Sequence, residues 1–184
     1  MIENLFSIGI CVFKTSELDN QSIINYCEGF NFKRDKEVGF DNEVLNDLKS
    51  KFLEAGQVYL QNVLGSNQTQ NIKINRLWGN YGLDDSIAIP HTHKTSLMSA
   101  VYYCTPGIIT FTNPARTELV HLDESKIVNY NEYNSDYRRY NLEPGNLIIF
   151  NSQTYHYAHP TNNKDGIRVS IACDMSMIKD DYDR

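Results

Sequence analysis

From Asn71 onward the chain breaks into a succession of short runs rich in β-branched and aromatic residues, and this succession is what most narrows the folds open to it. The runs cover 72–78, 86–89, 96–104, 108–112, 138–143, 147–150, 155–159 and 167–175. Turn signals separate several of them: Pro106-Gly107, Pro144-Gly145 and the polar stretch 162–166. Many short strands at regular spacing predict a sandwich, barrel or jelly roll. The one long interruption, 113–141, is polar and carries Tyr130, Tyr133, Tyr137 and Tyr140. A connection of that length is usually functional or mobile, and it could cover a ligand.

The first 70 residues read differently. Residues 5–13 suit a strand, and 16–30 have helical character, with Leu18, Ile23, Ile24, Cys27 and Phe30 near one face. A mixed-charge loop follows over 30–40. The clearest helix is predicted over 41–64: Leu45, Leu48, Phe52, Ala55, Tyr59 and Val63 recur at steps of three and four, Asp41 can serve as N-cap, and Gly65 can end it. At 184 residues and 41% apolar composition, the chain is expected to be a single domain over 1–184. In it, 1–70 supply a strand and supporting helices and 71–178 the jelly-roll core.

The formal net charge of −6 offers no basic footprint for phosphates, which argues against a nucleic-acid partner. Cys11, Cys27, Cys104 and Cys173 are far apart, without a CxxC pair. They read as four buried, reduced thiols of a cytoplasmic protein. The first apolar run is too short to span a bilayer and follows Glu3 rather than a positive patch, so neither a membrane segment nor a signal peptide is expected. Exposed strand edges leave room for a homodimer.

Chemistry enters with the histidines. Four of the five fall into two tight groups, His91-Thr92-His93 and the pair His156 and His159. Residues i and i+2 of an extended segment point to the same side, so His91 and His93 can aim at one point. A jelly roll can fold a distant strand carrying His156 against them. Three such ligands leave positions open on a metal, as oxygen-activating iron enzymes require, although imidazole suits iron, zinc, copper and nickel alike. His159, three residues from His156, faces the other way, and His121 is isolated in a polar loop. Arg168 and Ser170 share a face of the last strong strand. A guanidinium facing into a barrel needs an anion, and a planar fork suits a carboxylate.

With these residues in hand, the chain resembles the Fe(II)/2-oxoglutarate-dependent oxygenase superfamily. The runs PHTHKTSLMSAVYY, PGNLIIF, TYHYAHP and GIRVSIA come in that family's order. The resemblance implies a mainly β fold with N-terminal helices, a double-stranded β-helix of the jelly-roll, cupin-like kind. It implies Fe(II) on His91 and His156, with His93 either a third neutral ligand or set behind a water that fills the place, and 2-oxoglutarate as cosubstrate with its distal carboxylate on Arg168, Ser170 and Tyr103. Tyr103 shares the parity of His91 and His93 if one strand runs unbroken between them. The implied activity is hydroxylation of a small-molecule, peptide or protein substrate with release of succinate and CO2. Most of the superfamily has Asp or Glu where this chain has His93. That loses one negative charge from the site, which Asp84 or Asp85 could restore. Ala100 and Asn151 stand where glycine and proline are usual. Two other readings share the layout: a metal-binding cupin that does not use 2-oxoglutarate, with Leu97 and Met98 where cupins carry a glutamate, and a non-catalytic jelly-roll binding module. The first gives Arg168 no task, and the second has no need of clustered histidines.

Overall fold

A computed structural model of the chain describes residues 8–15, 17–30, 36–67, 71–83, 87–114, 123–131, 133–161 and 166–178. His121, Asp84, Asp85 and much of 113–141 lie outside them. The elements are β1 (Ile10–Lys14), α1 (Asn20–Glu28), β2 (Lys36–Glu37), α2 (Asn46–Asn62), β3 (Ile72–Leu83), β4 (Met98–Tyr103), β5 (Gly107–Thr112), β6 (Tyr137–Leu142), β7 (Asn146–Asn151), β8 (His156–His159) and β9 (Ile167–Met177). All the ladders are antiparallel. They form a six-stranded sheet in the order β1-β7-β4-β9-β3-β2 and a three-stranded sheet in the order β6-β5-β8. Strands distant in sequence are therefore neighbours in space, as a double-stranded β-helix requires.

The first helix begins where a side chain satisfies a free N–H group. Asp19 accepts from the Ser22 N–H at 3.1 Å and starts α1. The second helix departs from the expectation at Asp41. Asn42 accepts from the Val44 N–H at 3.0 Å and starts a short 3-10 turn, Glu43–Leu45, and α2 follows from Asn46. The run 86–89 forms no full strand among the described residues. Pro90 has no N–H to give, and the segment meets β8 through the Ala88 N–H, which donates to Ala158 O, and through a bridge at His91. β3 runs longer than expected, past a bulge between Ile74 and Arg76.

Alternation along the large sheet gives it two faces. Leu77, Met98, Ala100, Tyr102, Leu147, Ile149, Val169, Ile171, Cys173 and Met175 pack with Leu48, Phe52, Ala55 and Tyr59 of α2 and Ile23 and Cys27 of α1. The opposite face contributes Tyr103, Ile148 and Phe150 to a second cluster with Ile109, Phe111 and Leu142 of the small sheet. The inner faces of the two sheets face each other across the interior of the β-helix. All four cysteines are free, but Cys11 is only half-buried rather than buried as expected. Burial pushes the Cys27 thiol up to about 12, so this thiol packs as an inert apolar group.

Candidate metal centre and cosubstrate cavity

His91 and His156 are cross-strand partners. Each backbone N–H donates to the other's carbonyl, at 3.0 and 3.1 Å. An antiparallel pair of this kind puts both side chains on one face, and the two rings lie 4.5 Å apart. His93 arrives from a loop. Its N–H donates to Ser152 O at 2.8 Å, and a turn at Lys94 and Thr95 separates it from β4. The HxH segment is thus not the start of one unbroken strand. Tyr103 faces the cavity through the alternation of β4 itself.

The three rings converge, with one nitrogen of each within 4.8 Å of the others. In every case the other nitrogen is engaged. His91 Nδ1 faces Ile89 O at 2.8 Å, His156 Nδ1 faces Thr154 O at 2.9 Å, and His93 Nδ1 faces Asp174 Oδ2 at 3.1 Å. All three partners are acceptors, so each Nδ1 carries the proton and each Nε2 presents a lone pair. That donor set fits a cation: three neutral imidazoles oriented by outer partners. Burial holds His156 down at about 4, well below the ordinary histidine value, and it is neutral at physiological pH. Aromatic walls close around the cluster. Trp78 stacks on His93 at 5.4 Å, His93 on His156 at 5.2 Å, and the Phe150 ring meets His156 at 4.6 Å.

β9 carries the cavity away from the histidines. Arg168, Ser170, Ala172 and Asp174 share its inner face. Asp174 lies at the His93 end and Arg168 at the other. Ser170 and Ala172 between them are small. Arg168 is buried, its Nη1 donates to His159 O at 2.9 Å, and its cross-strand partner on β3 is Gly82, which adds no side chain. Ser170 pairs with Tyr103 on one side and Asn80 on the other, and Asn80 Nδ2 donates to Ser170 Oγ at 3.4 Å. The Tyr103 ring occupies the space a side chain at position 107 would need, so Gly107 is what admits it. Burial drives the Tyr103 phenol up and the nearby Arg168 guanidinium opposes the shift.

The structure thus brings His91, His93 and His156 to one end of a cavity and Arg168, Ser170 and Tyr103 to the other. His159 has the opposite parity to His156, and its ring lies 4.7 Å from that of Tyr157 in a tilted arrangement. Sequence reasoning missed Trp78, Asn80, Ser99 and Asp174. The parity that joined Arg168 to Ser170 continues to Asp174, and that of Trp78 continues to Asn80, which marks a shared face but not what these residues meet there.

Residues 76–174 match the 2OG-Fe(II) oxygenase family, and the chain belongs to it. Fe(II) and 2-oxoglutarate are the cofactor and cosubstrate of that family. Solved structures agree in fold. HygX from Streptomyces hygroscopicus with nickel and 2-oxoglutarate bound is 12% identical, with a TM-score of 0.63 over 92% of this chain and 83% of that one. The α-ketoglutarate-dependent epimerase SnoN of nogalamycin biosynthesis is 14% identical, with a TM-score of 0.56 over 93% and 79%. The non-heme monooxygenase ThoJ in its nickel complex is 12% identical, with a TM-score of 0.59 over 92% and 74%. At such identities the likeness establishes the double-stranded β-helix. No curated protein matches in sequence. No described helix is long and apolar enough to cross a membrane.

Proposed function

We propose that the chain is an Fe(II)- and 2-oxoglutarate-dependent dioxygenase that hydroxylates a small-molecule or peptide substrate. His91, His93 and His156 hold the metal, and Arg168, Ser170 and Tyr103 hold the distal carboxylate of 2-oxoglutarate. One observation carries this reading: three imidazoles converge on one point beside the inner face of β9, and that face also carries a buried guanidinium. A cupin with the same histidines needs no guanidinium on that inner face. Support for a small-molecule substrate comes from HygX, which has been crystallised with hygromycin B.

Bound iron supplies the site where O2 and the keto acid meet and the oxidising power for an unactivated C–H bond. The protein's own part is orientation and exclusion of water. The reciprocal backbone bonds between His91 and His156 fix two ligands before any ion arrives. The buried guanidinium pairs with the cosubstrate carboxylate, a charge-assisted contact strengthened by the dry surroundings. Tyr103 stays protonated because burial raises its phenol, so it donates to that carboxylate instead of repelling it. Ser170 adds a hydroxyl donor. Trp78, Phe111 and Phe150 wall off the metal end.

Anaerobic titration tests the reading. Adding Fe(II) and then 2-oxoglutarate to purified protein should produce a weak visible charge-transfer band that needs both. Iron uptake without the band would favour a cupin-type metal protein, and no uptake would overturn the reading altogether.

A further inference from the structure

The HxH motif leaves the metal centre short of one negative charge, and the structure holds a carboxylate one hydrogen bond away. Asp174 is buried on the inner face of β9. Its Oδ2 accepts from His93 Nδ1 at 3.1 Å and its Oδ1 from Ser99 Oγ at 2.6 Å. Since Ser99 donates to Asp174, the Ser152 hydroxyl 2.8 Å away must donate to Ser99. A chain of bonds therefore runs Ser152, Ser99, Asp174, His93, and ends at the Nε2 that faces the other two histidines.

The obvious competitor for this carboxylate is Arg76, its cross-strand partner on β3. Arg76 is committed elsewhere: its Nε is 3.4 Å from Glu37 Oε1 and its Cζ lies 4.7 Å from the Trp78 ring centre. Among the described residues, the one ionisable group that Asp174 meets within 4 Å is thus His93. A buried carboxylate held only by a hydroxyl and an imidazole N–H is poorly compensated, because desolvation of a charge is expensive. A cation on the far nitrogen of that imidazole supplies the compensation.

The geometry points to Asp174 as the positioning residue of the metal centre, replacing through His93 the charge that an aspartate or glutamate at position 93 would place directly on the ion. The inference rests on the three-histidine reading above. Asp174 fixes the His93 tautomer and ring plane, and its charge makes Nε2 a stronger donor. The sequence-based candidates for this role, Asp84 and Asp85, lie outside the described residues.

The test compares anaerobic Fe(II) or Co(II) affinity, measured by competition with a chelating dye, in the wild type, Asp174→Asn, His93→Asp and the double variant. Asp174→Asn keeps shape and an acceptor but removes the charge. It should weaken metal binding about tenfold to a hundredfold while the circular dichroism spectrum is unchanged. In the His93→Asp background the charge is already on the metal, so adding Asp174→Asn should leave affinity unchanged or raise it by relieving two facing carboxylates. Equal losses in both backgrounds would reduce Asp174 to a structural role, and an Asp174→Asn affinity within twofold of wild type would overturn the inference. A wild type that binds no metal would instead sink the three-histidine reading itself.

Discussion

Ile167, Val169, Ile171, Cys173 and Met175 of β9 lie under the helices, whereas Arg168, Ser170, Ala172 and Asp174, interleaved with them, face the cavity. The two sets share one backbone and one ladder. The helix-side residues are held by burial, which is non-directional and accepts any side chain of suitable volume. The polar residues of the cavity side are held by specific partners, and each partner is a demand on geometry: His159 O for Arg168, Asn80 for Ser170, Ser99 and His93 for Asp174. Stability and chemistry are therefore separated by a single residue step along one strand. Perturbing one face should leave the other's property in place.

The sharpest way to break this separation is on the helix side. Ile171 is fully buried and packs near Phe30 across Gly79. Ile171→Ala should lower unfolding stability by about 2–5 kcal/mol, read from urea denaturation, while the folded fraction keeps wild-type iron affinity. A parallel fall in iron affinity would show that the faces are coupled.

A second effect comes from the cavity side of the small sheet and concerns the metal-free protein. His156 titrates at about 4 in the folded chain because it is buried, against an ordinary value of 6.5. The unfolded chain takes up the proton first as pH falls. Stability is therefore full above about 6.5 and declines toward about 4, by roughly 3 kcal/mol across the window. Melting temperature against pH in a chelator should slope more steeply in wild type than in His156→Gln. Identical slopes would mean that His156 is not held neutral by burial.

Smaller again is the expected effect of Arg168→Ala on the cosubstrate end. Loss of a charge-assisted contact of about 1.5–3 kcal/mol corresponds to 2-oxoglutarate binding roughly ten- to a hundredfold weaker. Iron affinity should stay within about twofold. Equal loss of both would remove Arg168 from its assigned place.

The two faces were also unequally legible in the sequence. Short β-branched and aromatic runs between turn signals revealed the strands, and apolar residues at steps of three and four the second helix, because apolar burial leaves a mark on composition and spacing. The site was visible where residue type is rare and costly, at the clustered histidines and at an arginine inside a strand. It was invisible where the meaning of a side chain depends on a cross-strand neighbour. Asp174 reads as an ordinary polar residue until β4 brings Ser99 opposite it and the loop before β4 brings His93. Tyr103 was placed by its resemblance and by a supposed continuous strand. The strand is interrupted at Lys94, and the alternation of β4 alone delivers the same side. The start of the second helix was misplaced because Asp41 and Asn42 are both good caps: Asn42 caps a short 3-10 turn, and the α-helix begins only after Leu45, which has no capping side chain.

The face of the small sheet turned away from the cavity completes the comparison. Thr110 pairs with Arg139 on β6 and Tyr157 on β8, and its parity is opposite to that of the cavity-facing Phe111. It is fully buried, and its hydroxyl has no hydrogen-bond partner among the described residues. Among the described residues, this hydroxyl and the His159 Nε2 are the buried side-chain polar atoms without a hydrogen-bond partner. Leaving a hydroxyl desolvated and unpaired is unfavourable, and valine has nearly the same shape. Thr110→Val should therefore raise stability slightly, by less than about 1 kcal/mol, with iron and 2-oxoglutarate binding unchanged. A clear loss of stability would mean that the hydroxyl has a partner, and a change in binding would extend the functional surface to a face that otherwise serves only packing.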